Sequence, residues 1–185
     1  MIPDIIAAAE KKMVQAVEFA KEEFTTIRTG RAHPAMFNKL TADYYGQPTP
    51  LQQLATFASP EPRTMIITPY DQGAVKAVER AIRNSDLGVN PAVDGRAIRV
   101  VLPELTEERR REYTKLARTK AEESRVAIRN IRRHANDSVH RLVKDKEASE
   151  DEARGAEKKL DAATKKHIDQ VDDILRRKEA ELLEV

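Results

Sequence analysis

Residues that break helices are confined to one stretch of this chain, and that confinement limits its possible folds more than any other feature. Eight of the nine prolines lie between Pro34 and Pro103, and four of the six glycines, Gly46, Gly73, Gly88 and Gly95, lie there too. Outside it only Pro3, Gly30 and Gly155 interrupt sequence that otherwise favours helix. Proline lacks the backbone donor a helix interior needs, and glycine loses more backbone entropy than any other residue. The pattern predicts a turn-rich insert over residues 31–104 between a helical N-terminal arm and a long helical C-terminal half. One domain, residues 1–30 and 105–185, is then discontinuous in sequence.

Both arms carry the helical repeat. Ile6, Ala9, Met13, Val17, Ala20, Phe24 and Ile27 recur at steps of three or four. They draw one apolar stripe on a helix that starts near Pro3 and for which Gly30 is the expected C-terminal cap. A second stripe, Tyr113, Leu116, Ala117, Ala121, Ile128, Ile131, Ala135, Val139 and Leu142, follows an N-cap at Thr106 and ends near Lys144. A third begins with a capping box, Ser149 and Glu152, and runs through Ala153, Ala156, Leu160, Ala163, His167, Val171, Ile174, Lys178 and Leu182. His167 and Lys178 are its polar interruptions.

No helix with a single stripe can bury it alone, so the expected fold class is α+β: an elongated antiparallel three-helix bundle carrying a small inserted domain. Within the insert, residues 39–45, 51–57, 64–68 and 97–102 read as strands, the first two joined by a turn at Gly46, Pro48 and Pro50. Ala74, Val75, Val78, Ala81 and Ile82 mark an amphipathic helix with Asp71 as its N-cap, which makes the insert a β/α/β sandwich. The two chain crossings, at Gly30 and Arg31 and at Pro103 and Glu104, are expected to form a hinge.

Composition narrows the function. The absence of cysteine excludes a disulfide scaffold, a thiolate zinc site and a cysteine nucleophile, and it fits a reducing compartment. No run approaches the ~18 apolar residues of a membrane span, and the first ten residues carry neither the basic region nor the cleavage site of a secretory leader. A soluble, cytoplasmic protein is expected. There is no phosphate-binding glycine loop, nucleophile elbow or H-E-x-x-H motif, and His33, His134, His140 and His167 include no pair spaced by three or four. No catalytic residue, metal or cofactor is expected.

Charge is segregated more sharply than the net value of +2 suggests. Residues 105–144 hold twelve basic and six acidic side chains, and residues 145–185 hold nine and thirteen. Arg111, Arg118, Arg125, Arg129 and Arg132 fall within about 40° of a common line on the second long helix. Residues 124–136 contain Arg125, Arg129, Arg132 and Arg133 and no Asp or Glu. An uncompensated row of guanidinium forks is therefore expected, and such a row suits the phosphates of a nucleic-acid backbone. With 4% aromatic residues there is little base stacking to add. The spacing also allows a solvated bundle face partly paired with the acidic third helix, and an enzyme remains open only if the insert assembles a site from residues distant in sequence.

The loop motifs carry a resemblance. Arg28-Thr29-Gly30-Arg31-Ala32 with Pro34, Tyr44-Tyr45-Gly46 before Pro48-Thr49-Pro50-Leu51, and Ser85-Asp86-Leu87-Gly88 with Asn90-Pro91 occur in that order. They are followed by Leu105-Thr106-Glu107-Glu108-Arg109-Arg110 and by Arg129-Asn130-Ile131-Arg132-Arg133 with Ala135-Asn136-Asp137. Together they resemble the bacterial ribosome recycling factors along the whole chain. The resemblance implies an L-shaped protein of transfer-RNA-like outline with a flexible hinge, and a non-enzymatic translation factor that acts as a monomer. It implies that elongation factor G and GTP drive it to dissociate the post-termination 70S ribosome, releasing messenger and deacylated transfer RNA. The bundle would contact large-subunit ribosomal RNA through Arg132 and Arg129, with the small domain positioned for the translocase. His134 stands where the family often has an acidic residue, which makes this surface more basic.

Overall fold

The computed structural model describes residues 1–184. In chain order its elements are α1 (Ile2–Thr25), β1 (Thr41–Tyr44), β2 (Gln47–Pro50), α2 (Leu51–Leu54), β3 (Ala55–Glu61), β4 (Thr64–Pro69), α3 (Val75–Arg83), β5 (Ala92–Asp94), β6 (Ala97–Val101), α4 (Glu107–Lys144) and α5 (Glu150–Leu183). They form two compact units: Met1–Ile27 with Arg111–Ala180, and Arg28–Arg110 with residues 181–184.

The first unit is the helical bundle. α1 buries Ala9, Met13, Val17, Ala20 and Phe24, α4 buries Ala117, Ala121, Ile128, Ala135 and Val139, and α5 buries Ala153, Ala156, Leu160, Ala163 and Val171. Ala9 packs with Ala135 and Leu160, and Val139 packs with Ala153 and Ala156. Glu23, near the other end of α1, meets Lys120 of α4 at 2.5 Å. These pairings run α4 antiparallel to both of its neighbours. The seam is narrow because alanine predominates in it, so each helix depends on the other two for its burial.

The ends are set by local chemistry. Thr106 accepts from the Arg109 amide at 3.1 Å. In the capping box Glu152 N donates to Ser149 Oγ at 3.1 Å while Ser149 N donates back to Glu152 Oε2 at 2.8 Å. Between α4 and α5 the chain reverses through Lys146 at φ 58°, and the Glu147 amide reaches the Leu142 carbonyl at 2.8 Å. Two buried polar side chains of α5 are satisfied within the helix. His167 Nδ1 lies 2.7 Å from the Ala163 carbonyl, and the Thr164 hydroxyl donates to the Leu160 carbonyl at 2.7 Å.

In the second unit four antiparallel strands pair in the order β3-β4-β6-β5. Met65, Ile67, Ile98 and Val100 of that sheet share one core with Val78 and Ile82 of α3 and with Phe37, Leu51 and Leu54. β1 and β2 form a separate hairpin whose two turn residues, Tyr45 at φ 51° and Gly46 at φ 79°, both lie in the left-handed region, as a tight primed turn requires. Asp71 holds this hairpin to the rest of the unit. Its carboxylate accepts from the Gly73 amide at 2.9 Å and from the Tyr44 hydroxyl at 2.9 Å, with the Tyr45 hydroxyl at 3.5 Å. The Gly73 amide and then the Tyr44 hydroxyl hold the Asp71 carboxyl below its ordinary value, and the bond to Asp71 pushes the Tyr44 phenol up.

Several local expectations are corrected. α1 stops at Thr25 rather than at Gly30, because the Thr25 and Thr26 hydroxyls turn back onto the Glu22 and Glu23 carbonyls at 2.6 and 2.7 Å. Leu51 and Leu54, placed above in a strand, form a helical turn that buries both leucines, and a three-residue step is helical spacing. Pro48 and Pro50 lie in β2 rather than in a turn; β2 pairs only with β1, so one of its edges needs no amide donors. β5 escaped notice because all three of its residues are exposed and nothing alternates. Asp71 caps a short 3-10 turn, Gln72–Ala74, that leads into α3.

Two outcomes follow from this packing. Ile128, fully buried in α4, should cost about 2–5 kcal/mol on truncation to Ala, whereas Ser149→Ala should cost about 1 kcal/mol; urea unfolding of each variant measures both. Because the folded Asp71 pKa is depressed, its contribution is complete above the ordinary carboxylate range and is lost as pH falls through the lowered value. Asp71→Ala should therefore flatten the acid limb of the stability curve and move the Tyr44 phenol back down, as followed by pH-dependent unfolding and by NMR titration of the ring.

Candidate nucleic-acid interface

α4 supplies the scaffold: at about 1.5 Å per residue its 38 residues make a rod of about 57 Å. Its arginines do not form the uncompensated row that the acid-free run suggested. Arg118 Nε donates to Glu179 Oε1 at 2.9 Å. Arg125 donates to Asp172 Oδ1 through Nε at 2.7 Å and to Glu122 Oε2 through Nη1 at 3.0 Å. Arg129 Nη1 reaches the other oxygen of Glu122 at 3.4 Å. Two sources of charge lay outside the stretch 124–136. Glu122 sits one turn before Arg125 and two before Arg129, and α5 reaches across with Asp172 and Glu179. Partial burial works against the Arg125 charge, but hydrogen bonds to Asp172 and then Glu122 outweigh it and hold the guanidinium above its ordinary value.

Arg111 is exposed near the start of α4. Arg132 is half-buried and Arg133 is exposed, and among the described residues neither has a carboxylate within ion-pairing distance. Asn136, one turn beyond Arg132, has a buried Oδ1 that accepts no hydrogen bond.

The reason for this gap is the register between α4 and α5. Arg118 pairs with Glu179, Arg125 with Asp172, and His140 with Glu157 at 2.9 Å. Each advance along α4 is matched by an equal retreat along α5. Carried on to Arg132, the same register brings Lys165 level with it. The α4–α5 flank is thus a ladder of Arg–carboxylate pairs and a His140–Glu157 contact, with one rung where both sides are cationic. Sequence reasoning did not single out Lys165, because its level opposite Arg132 follows from the register between the two helices and not from its own neighbours.

Pairs exposed to this degree are worth about 0–1 kcal/mol each. Glu122 and Glu179 can therefore hold Arg129 and Arg118 in place and still yield to a phosphate. Among the described residues Arg132 and Arg133 have no carboxylate partner to give up. A guanidinium fork presents its donors in the geometry of two phosphate oxygens, so the open rung offers an anion site on a rigid rod.

The second unit carries cations of its own. A cleft of 390 Å³ is lined by Gly30, Arg31, Glu61, Arg63, Glu104 and Arg110 among others. Arg31 meets Glu184 at 2.6 Å and Arg63 meets Glu104 at 3.4 Å, whereas the buried Nε of Arg110 makes no hydrogen bond. The residues expected to flex, Gly30, Arg31, Pro103 and Glu104, all belong to this unit. Gly30 takes φ +80°, a conformation that any other residue would adopt under strain. Among the described residues no cluster of His, Asp or Glu could hold a metal ion, and no helix is long and apolar enough to cross a membrane.

Known proteins share this sequence and fold. A family profile described as ribosome recycling factor matches residues 20–183. The ribosome-recycling factors of Kineococcus radiotolerans and Streptomyces coelicolor are each 60% identical over 185 residues, covering 100% of both chains. A solution structure of the ribosome recycling factor superposes with a TM-score of 0.82 at 42% identity, covering 100% of this chain and 98% of the other. A second, with a TM-score of 0.72 and 42% identity over 100% of both chains, belongs to models of the T. thermophilus ribosome recycling factor and E. coli elongation factor G bound to the E. coli post-termination complex. With a profile covering most of its length and relatives matching all of it, this chain belongs to the ribosome recycling factor family.

Proposed function

We propose that this protein, with elongation factor G and GTP, dissociates the post-termination ribosome, and that the middle of α4 docks the bundle on large-subunit ribosomal RNA. Ribosome recycling factors are translation factors rather than enzymes, and a ribosomal target puts the protein in the cytoplasm. The observation that carries the docking reading is the open rung: Arg132, with Arg133 beside it, lies on a long helix with no carboxylate in reach among the described residues. Arg129 adds a cation whose hold on Glu122 is weak at 3.4 Å. Arg118 and Arg125 contribute mainly by bracing α5, with Arg111 extending the positive edge toward the start of the helix. Phosphate contact of this kind is insensitive to sequence and sensitive to salt. A ribosomal RNA of fixed shape, gripped by its backbone, suits a surface that offers charge and little aromatic stacking.

The small unit would meet the translocase, with the crossings at Gly30 and Arg31 and at Pro103 and Glu104 acting as a hinge. Gly30 in the left-handed region supports that assignment, because a strained substitution there would stiffen one crossing.

Arg132→Glu should weaken binding to 70S ribosomes about 10–100-fold and lower the salt slope by at least about one, with the fold intact. Titrations at several salt concentrations, alongside breakdown of post-termination complexes by translocase and GTP, check this, and unchanged affinity and slope would defeat the docking reading. A second outcome concerns the crossings. Gly30→Val should leave ribosome affinity within about twofold while slowing translocase-driven subunit separation, since a hinge serves the moving step and not the docked state. Normal turnover by that variant would show that motion at this crossing is unnecessary.

A further inference from the structure

We infer that the RNA-docking site crosses from α4 onto α5, and that Lys165 supplies its second cation, so that one phosphate or two neighbouring phosphates are held between Arg132 and Lys165. This rests on the docking reading above and extends it to a helix that, with thirteen acidic side chains against nine basic ones over residues 145–185, gives no compositional sign of binding a polyanion.

The geometry comes from the register already fixed by Arg118 with Glu179, Arg125 with Asp172 and His140 with Glu157. Both neighbouring rungs are closed by a carboxylate from α5, and the rung at Arg132 is not. Lys165 is exposed. The carboxylates that could quench it on its own helix are Asp161 and Asp169, one turn to either side. Among the described residues neither forms an ion pair with Lys165 or with Arg132. The nearest acids across the flank, Glu157 and Asp172, are already engaged by His140 and Arg125. Helices packed about 8–10 Å apart put the ends of a long Arg and a long Lys side chain within reach of one anion. Two like charges facing each other repel, and a bound phosphate removes that repulsion while gaining two charge-assisted contacts. Binding and relief of strain then favour the same state.

The test turns on a sign that a merely structural role would not give. Lys165→Glu places a carboxylate level with Arg132 and closes the rung. It should hold or raise the unfolding temperature while weakening binding to 70S ribosomes about 10–100-fold, because it removes one cation and occupies another. The salt slope should fall by about two rather than one. Lys166→Glu is the matched control, since its side chain lies about 100° further round α5 and it changes the same net charge; it should lower the slope by less than about one. If Lys165→Glu affects affinity and slope no more than Lys166→Glu, while Arg132→Glu still weakens docking, the extension onto α5 is wrong and the α4 site stands. If Arg132→Glu also leaves binding unchanged, the docking reading falls, and the proposed role of Lys165 with it.

Discussion

A narrow seam of alanines sets everything else in the bundle. Because α1, α4 and α5 each bury alanines between larger side chains such as Met13, Ile128 and Leu160 along a single stripe, the helices cannot slide without exposing that stripe. The packing of Ala9 against Ala135 and Leu160, and of Val139 against Ala153 and Ala156, therefore locks the axial register. Once register is locked, every charged residue on the flank of α4 has its counterpart on α5 chosen for it. The ion pairs follow from the core, and contribute less to stability than the core does.

That dependence explains why the flank can carry information. A surface arginine free to choose its partner would find a carboxylate in a chain that is 35% charged. Arg118 and Arg125 do find one, and so hold their guanidinium groups in defined positions. Arg132 is denied one by the same register. The resulting site needs no special loop and no unusual residue. It arises from the absence of one complementary charge on a rod about 57 Å long.

The bundle was largely legible in the sequence because its signals are local and repeated: three stripes, with Leu116 of the second turned out to solvent, a capping box at Ser149 and Glu152, and an N-cap at Thr106. The inserted unit was less legible. Leu51 and Leu54 were drawn into a strand by their β-rich neighbours, and β5 has no buried residue to reveal it. For the candidate site the sequence pointed to α4 and to Arg132, and it overstated how bare the neighbouring arginines were. Counting acids within one window cannot see Glu122 just outside it or Asp172 on another helix. Lys165 was invisible for the same reason, since its meaning depends on a level shared with Arg132 and not on its own neighbours.

In a protein whose local choices agree with its global fold, helix caps, stripes and cross-helix charges all point to one structure. Here they agree at every level of the α4–α5 flank described above except one. On the inference above, Arg132 level with Lys165 would set two like charges facing each other in the free bundle, and a carboxylate at either position would remove that conflict at the cost of the proposed anion site. A single local violation inside an otherwise consistent pattern is what a binding requirement imposes on a fold, because the missing countercharge has to come from the ligand. The disagreement is small enough, on the scale of one exposed pair, for the seam to carry it. It lies on a helix stiff enough to keep the two cations at a fixed separation, which is the condition under which a phosphate can complete the ladder.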